Sequence, residues 1–227
     1  SRRPLAAVAA APTSPDISDL LDGPGPQPEH ESSLVLERFG VPFATRRRAL
    51  TPEAAAAAVD EIGAPVVVKS DGPAHKARRG GVVLGIETPE AAAAAASRLG
   101  GPVLVARQAE PGVEVLCGVS RDPDFGPILA VGHGGGAVEE LDDVVLSSAP
   151  LDVPAAALLV SEAGIADPHG VVARTLAALS DLALSNPDIE SVEVNPLIVG
   201  STDTVAVDAL VVLADSRSQL SSRPRSS

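Results

Sequence analysis

Three oxygen-bearing side chains interrupt apolar, strand-like sequence near the end of the chain. Glu193-Val194-Asn195 is followed by a turn and then by Val205-Ala206-Val207-Asp208. Alternation along a strand places Glu193 and Asn195 on one face, and a hairpin return brings Asp208 beside them. Carboxylate and amide oxygens are the hard ligands that Mg²⁺ takes when it also holds nucleotide phosphates. The pattern therefore predicts a magnesium site, with a purely structural role for these residues as the alternative.

Lysine is rare enough in this chain to be informative. Only Lys69 and Lys76 are present, and all other Lys/Arg positions hold arginine. An ammonium is a compact point charge that suits a phosphate oxygen, whereas guanidinium is a broad planar fork. Lys69 ends the apolar run Val66-Val67-Val68, where its charge must face a cleft or a partner. These features favour a phosphate contact for Lys69; a solvated lysine at a sheet edge is the alternative.

Two glycine-containing segments could bring backbone close to a ligand. The first, residues 70–81, contains His75, Lys76 and the pair Gly80-Gly81. Backbone amides in such turns form concave anion sites, so this segment is predicted to close over a polyphosphate, unless it is only a solvated basic loop. The second, residues 132–136, either allows close approach to a ligand or ends a flexible hairpin. Both interpretations of this second segment stay open.

The bulk composition excludes several classes of function. A net charge of -13 and a sequence pI near 4.6 are the opposite of a nucleic-acid-binding footprint. No apolar stretch approaches the roughly 20 residues that span a bilayer. Cys117 is the single cysteine, so no intramolecular disulfide can form. We therefore expect a cytoplasmic protein with neither nucleic acid nor membrane as partner.

An internal duplication organises the first half of the chain. Thr51-Pro52-Glu53 and Thr88-Pro89-Glu90 each open an Ala-rich helix with a threonine N-cap, a proline and an early acid. Each helix is followed by glycine and an apolar run. True repetition and convergence of two Ala-rich helices both predict the same small α/β lobe. Strand runs separated by helices in the second half predict a mixed sheet, with a ligand cleft between the two lobes.

These segments, in this order, resemble the ATP-grasp subunit of NDP-forming acetate/acyl-CoA ligases and, more distantly, the β subunit of succinyl-CoA synthetase. The resemblance covers roughly residues 21–213 and rests on the stretches 29–32, 62–69, 75–82, 121–127, 149–151 and 193–197. It implies an α/β (α+β) ATP-grasp fold of two lobes with a nucleotide cleft between them. The implied division is a flexible linker at 1–28, a small lobe with the phosphate loop and the N-terminal helix at 29–107, a large lobe with the magnesium site at 108–215, and a disordered tail at 216–227.

The resemblance also assigns roles and cofactors, namely Mg²⁺ and ATP or ADP. His75 aligns with a histidine that carries phosphate between the nucleotide and a second phosphohistidine on the CoA-binding subunit, and so is the implied catalytic residue. Asn195 and Asp208 are the implied metal ligands. The implied nucleotide-binding set is Lys69, Lys76, Gly80, Gly81, the hinge residues Gln108, Ala109 and Glu110, and the acids Glu114 and Glu193.

The implied reaction is reversible and converts acyl-CoA, NDP and phosphate into free acid, CoA and NTP. Its CoA-binding part is expected as a separate α subunit or a fused domain, so the chain is predicted to act in a hetero-oligomer or within a longer polypeptide. Where the family often has Lys-Asp followed by Phe-Arg, this sequence has Asp142-Asp143 and Ser147-Ser148. The alternative is therefore a catalytically degenerate domain that binds nucleotide as a sensor or regulatory module of a larger acyltransferase-like protein.

Overall fold

A computed structural model of the chain describes residues 14–71, 81–135 and 144–215. These residues form two β-sheets, each with its own hydrophobic core. In chain order the elements are β1 (Gly25–Pro26), α1 (Glu29–Arg38), β2 (Arg46–Ala49), α2 (Pro52–Ile62), β3 (Val66–Ser70), β4 (Val82–Ile86), α3 (Pro89–Leu99), β5 (Val103–Arg107), β6 (Val113–Asp122), β7 (Gly126–His133), β8 (Val145–Ser148), α4 (Val153–Glu162), α5 (Val171–Ser185), β9 (Ile189–Val199), β10 (Thr204–Ala206) and β11 (Ala209–Leu213).

The smaller sheet has the strand order β2-β5-β3-β4 and is antiparallel throughout. The duplicated helices α2 and α3 supply alanines and Val59 to its core. Their predicted N-caps are confirmed, because Thr51 Oγ1 accepts from Ala54 N–H and Thr88 Oγ1 accepts from Ala91 N–H, each at 3.2 Å. Small side chains and matched caps thus support β3 and Lys69, its penultimate residue.

The larger sheet follows the path β1-β11-β9-β6-β7-β8, with β10 paired to β9. Helices α4 and α5 pack against it and contribute apolar residues to the larger core. Helix α1 also belongs to this core, since Val35 and Leu36 are fully buried in it. The sequence predicted this helix as part of the small lobe. Its apolar residues instead pack on the larger sheet, while its acids form ion pairs with the smaller one.

The segment before α1 is packed along the larger lobe, whereas the sequence predicted a flexible linker. Ile17 is buried in the larger core, and Gly25–Pro26 pairs with β11. The buried Gln27 donates its side-chain N–H groups to the carbonyls of Gly23 and Gly25, at 3.1 Å each. These tertiary contacts are invisible in a Pro- and Gly-rich composition. The predictions for residues 1–13 and for the tail at 216–227 lie outside the described residues.

Among the helices that the structure describes, none has the length and apolarity required to cross a membrane.

Candidate functional site

A cleft of about 420 Å³ lies between the two sheets. Strands β3 and β4 form one wall, the crossing segment after β5 forms its end, and residues of β9 and the turn before β11 form the other wall. The predicted residues that line the cleft are Lys69, Gln108, Ala109, Glu110, Glu114 and Asp208. The fold therefore brings together site candidates that are scattered over 140 positions of sequence.

One side of the cleft is an apolar surface that the sequence analysis did not single out. Its residues are Val67, Val82, Leu84, Ala106, Pro196 and Ile198. Val82 and Leu84 leave 53% and 67% of their surface exposed, which is unusual for large aliphatic residues. They lie two positions apart and so share one face of β4, whose other face carries Val83. In the sequence, this surface could have been recognised because β4 is apolar on both faces. The surface fits a flat heterocycle such as a nucleobase.

The crossing segment is anchored by Gln108 to β4 and to the residue before β3. Its side-chain oxygen accepts from Gly85 N–H at 2.7 Å, and its backbone N–H donates to Pro65 O at 3.1 Å. Gln108 therefore fixes the position of Ala109 and Glu110 at the end of the cleft.

Lys69 is buried, with 8% of its surface exposed, and is not a solvated strand end. Its ammonium donates to the Glu29 carboxylate and to the Val207 carbonyl. Lys69 lies on the smaller sheet, Glu29 opens α1, and Val207 precedes β11. The ammonium thus sits where the smaller sheet, α1 and the larger sheet meet. Glu29 lay within a stretch that resembled the family, but the sequence assigned it no role.

The carboxyl groups around Lys69 are crowded. Burial is the main cause that raises the pKa of Glu29 to about 7; Lys69 opposes this rise, and the neighbouring Asp208 carboxylate contributes to it. Burial among protein groups likewise raises the pKa of Asp208, against the influence of Lys69, even though part of Asp208 is exposed to the open cleft. This region disfavours ionised carboxylates, and a bound divalent cation would stabilise them in their ionised form.

The predicted magnesium ligands are neighbours in the structure. Asn195 Nδ2 donates to Glu193 Oε1 at 3.0 Å, and Asn195 N–H donates to the Asp208 carbonyl at 3.2 Å. Within the described ranges there is no group of three or more His, Cys, Asp or Glu side chains that could hold a metal by itself. The oxygens of Asn195, Asp208 and Glu193 fit Mg²⁺ as a partial set of hard donors, to which nucleotide phosphates would add the rest.

The glycine segment after β7 lies against this ligand set. Gly135 N–H donates to Asn195 Oδ1 at 3.0 Å. A Cβ on Gly135, whose φ is +74°, would overlap Glu114 Oε2, and a Cβ on Gly134 would lie 2.7 Å from the carbonyl carbon of Val115. Gly134 and Gly135 are therefore required for the contact between this segment and the neighbouring strands. That contact holds the Asn195 amide in place.

Replacement of Gly135 by alanine is expected to weaken Mg-ATP binding at least about tenfold, because the methyl group displaces Glu114 and breaks the contact to Asn195. Gly126→Ala is the matched control, since Gly126 also has a positive φ, +77°, but open space around a Cβ. Both variants carry about 1–2 kcal/mol of left-handed backbone strain. Titration calorimetry with Mg-ATP separates them. Equal losses in the two variants would contradict a role for this contact in the site.

Several predicted residues lie elsewhere. Gly81 does not line the cleft; its carbonyl accepts from Ser70 N–H at 2.8 Å. Glu193 and Asn195 lie beside the cleft rather than in its lining. The remaining three, His75, Lys76 and Gly80, lie outside the described residues.

The whole arrangement, from β1 to the end of β11, corresponds to a known family. Residues 25–213 match the family model described as an ATP-grasp domain. The chain belongs to the ATP-grasp family. The predicted ATP-grasp fold and the resemblance drawn from the sequence are both confirmed.

Relatives of known activity narrow the family further. The β subunit of acetate–CoA ligase [ADP-forming] I from Pyrococcus furiosus is 32% identical over 213 residues, which cover 83% of this ATP-grasp chain and 92% of the subunit. A trans-feruloyl-CoA synthase from an unknown prokaryotic organism is 31% identical over 216 residues, covering 83% of this chain but only 31% of the synthase. The chain thus spans almost all of a ligase subunit and about a third of a longer synthase.

A solved structure of similar fold carries ligands in its site. It is the dinucleotide-forming acetyl-coenzyme A synthetase 1 of Ca. Korarchaeum cryptofilum, in complex with coenzyme A and Mg-AMPPCP and with its phosphohistidine segment pointing towards the nucleotide binding site. It matches with a TM-score of 0.69 and 30% identity, and the match covers 82% of the ATP-grasp chain and 92% of that chain.

Proposed function

We propose that this ATP-grasp chain is the nucleotide-binding part of an NDP-forming acid–CoA ligase, which relays phosphate between Mg-nucleotide and a CoA-binding partner. The observation that carries the proposal is the cleft itself, in which an apolar surface for a base leads to the buried Lys69 and to Asp208. An apolar pocket with a few convergent charged groups is the usual form of a nucleotide site. The overall reaction is acyl-CoA, NDP and phosphate in exchange for acid, CoA and NTP.

The chain's own residues divide the work of binding and transfer. The apolar surface around Leu84 holds the base, and Lys69 contacts a phosphate oxygen as a point donor. Asn195, Asp208 and Glu193 would hold Mg²⁺, which neutralises phosphate charge when bound. The neutral imidazole of His75 forms a bond to the γ-phosphorus while the bond to the β-phosphate oxygen breaks and ADP leaves. The same steps in reverse make ATP from phosphorylated His75.

The partner is a CoA-binding domain that exchanges phosphate with His75 and forms the acyl-CoA. Two facts support this assignment: the chain spans nearly all of a β subunit, and the similar acetyl-coenzyme A synthetase has a phosphohistidine segment directed to its nucleotide site. Such a partner is either a separate subunit or a domain of a longer polypeptide. Because ATP and CoA are turned over inside the cell, the proposed reaction belongs in the cytoplasm.

The relatives favour a working ligase part over a degenerate sensor, because one is a subunit of an acetate–CoA ligase and the other is a trans-feruloyl-CoA synthase. The departure at Ser147-Ser148 lies on β8, the edge strand of the larger sheet. Loss of an arginine there removes a positive charge that could stabilise the transition state, so a slower transfer is expected rather than loss of the site.

Titration calorimetry with ATP tests the proposed site. Wild-type chain is expected to bind ATP with excess Mg²⁺ and to lose at least about a hundredfold in affinity in excess chelator, because the partial oxygen set needs both metal and phosphate. Asp208→Ala should lose a comparable factor even with Mg²⁺ present. Asp203→Ala is the matched control, since Asp203 is exposed in the turn between β9 and β10 and does not line the cleft. Equal affinity with chelator and in Asp208→Ala would overturn the metal role.

A further inference from the structure

Three acids of helix α1 contact the smaller sheet. Their carboxylates form three ion pairs across the gap between the lobes: Glu29 with Lys69, Glu31 with Arg48 at 2.8 Å, and Glu37 with Arg46 at 2.9 Å. The same helix is anchored in the larger core by Val35 and Leu36. The helix is thus a fixed support from which three carboxylates reach the smaller sheet.

The pair formed by Glu29 differs from the other two because its basic partner belongs to the cleft. Lys69 lines the cleft, whereas Glu29 does not. The carboxylate therefore approaches the ammonium from outside the ligand space, and a phosphate need not displace it. Both side chains are largely buried, with 10% of Lys69 and 13% of Glu29 exposed, so water competes little for this contact.

The ammonium has three N–H donors, and protein groups take two of them. One donates to Glu29 Oε1 and one to the Val207 carbonyl. Two fixed acceptors on different elements determine the position of Nζ and the direction of its remaining donor. Since Lys69 borders the cleft, that donor is the one available to a ligand there. A lysine without such acceptors would sample many rotamers of its four-carbon stem.

We infer that Glu29 is a positioning residue for Lys69: with the Val207 carbonyl it holds the ammonium so that one donor remains for a nucleotide phosphate. The inference rests on the proposed function, in which Lys69 contacts that phosphate. Glu29 also offsets an unfavourable field, because the ammonium lies near the positive N-terminal end of α1.

A positioning role and a purely electrostatic role for Glu29 predict opposite changes in nucleotide affinity when Glu29 is removed. If Glu29 acted only as a nearby negative charge, its removal would strengthen the binding of an anionic nucleotide. If Glu29 positions Lys69, its removal weakens binding although the site has become more positive. Glu29→Ala is expected to lower Mg-ATP affinity about tenfold, and Glu29→Gln, which keeps an acceptor oxygen in the same place, only about twofold to threefold.

Calorimetric titration with Mg-ATP measures these changes in affinity, and thermal melting shows whether each variant is folded. If Glu29→Ala does not fold, the affinity of Glu29→Gln tests the inference. Glu37→Ala is the matched control, since it removes an ion pair from the same helix to the same sheet without touching Lys69. Near-wild-type affinity in this control and the graded loss in the Glu29 variants are the expected results. Tighter binding in Glu29→Ala, or an equal loss in Glu37→Ala, overturns the inference.

A second measurement separates this inference from the proposed function. Because the chain has only two lysines, ¹⁵N-lysine labelling gives two side-chain amine signals, which Lys76→Arg assigns. Without nucleotide, the Lys69 signal is expected to show slow proton exchange that Glu29→Ala accelerates at least about tenfold. An unchanged signal overturns the positioning role. Failure of the wild-type chain to bind Mg-ATP, with the exchange effect present, overturns the proposed function alone.

Discussion

Incubation of the wild-type chain with γ-labelled ATP and Mg²⁺ is expected to leave label on His75, and His75→Ala is expected to carry none. A neutral imidazole is a competent nucleophile towards phosphorus, and the phosphoramidate it forms is labile enough to pass the group onward. Phosphohistidine is stable in base and labile in acid, which distinguishes it from phosphoserine. Acid and base treatment followed by site mapping provides the measurement, and the loss should be complete because no second histidine is proposed for this step.

His133→Ala is the control for the labelling experiment. His133 ends β7 as an exposed residue within the second glycine segment, so it tests whether any accessible histidine near the site becomes labelled. This variant should label like the wild type, with and without the CoA-binding partner. Label that persists in His75→Ala would refute the relay. A wild-type chain that stays unlabelled even with an active partner would support the sensor alternative.

Lys69→Arg is expected to lower Mg-ATP affinity at least about a hundredfold, although the charge is unchanged. The buried ammonium fits between the Glu29 carboxylate and the Val207 carbonyl, and a planar guanidinium presents its donors in a different geometry. The wider group would also push into the cleft. Titration calorimetry gives the affinity, and transfer to His75 gives the rate.

The reverse substitution at an exposed position, Arg47→Lys, serves as the control for Lys69→Arg. Arg47 lies on β2 of the same sheet and pairs with Glu61 of α2, with more than half of each side chain exposed. Such a pair contributes about 0–1 kcal/mol, so neither stability nor nucleotide binding should change appreciably. Wild-type affinity and transfer in Lys69→Arg would remove Lys69 from the site.

Local sequence was sufficient for the helices and for part of the site. Thr51 and Thr88 mark the starts of α2 and α3 because an N-cap acts within three residues of itself. Strand alternation also acts over a short distance in sequence, and it was enough to place Glu193 beside Asn195. Lys69 could be singled out because a charge that ends an apolar strand, in a chain almost devoid of lysine, has few purely structural uses.

Features that depend on distant parts of the chain could not be predicted in this way. Glu29 meets Lys69 from 40 positions away, and the burial of Ile17 depends on a sheet completed by the last strands of the chain. The sequence shows that both faces of β4 are apolar, but the cleft that Val82 and Leu84 line exists only once the opposite wall is in place. Long-range packing, rather than local preference, decides each of these.

The separation of the two cores has a consequence for how the chain folds as it is synthesised. The smaller sheet and its helices form one stretch of sequence, from β2 to β5, and among the described residues its core takes none from outside that stretch. The larger core joins the first helix to the last strand, since Val35 and Val211 both belong to it. During vectorial synthesis the smaller lobe can therefore fold while the ribosome is still translating. Helix α1, by contrast, must wait with its apolar face uncovered until the final strand emerges.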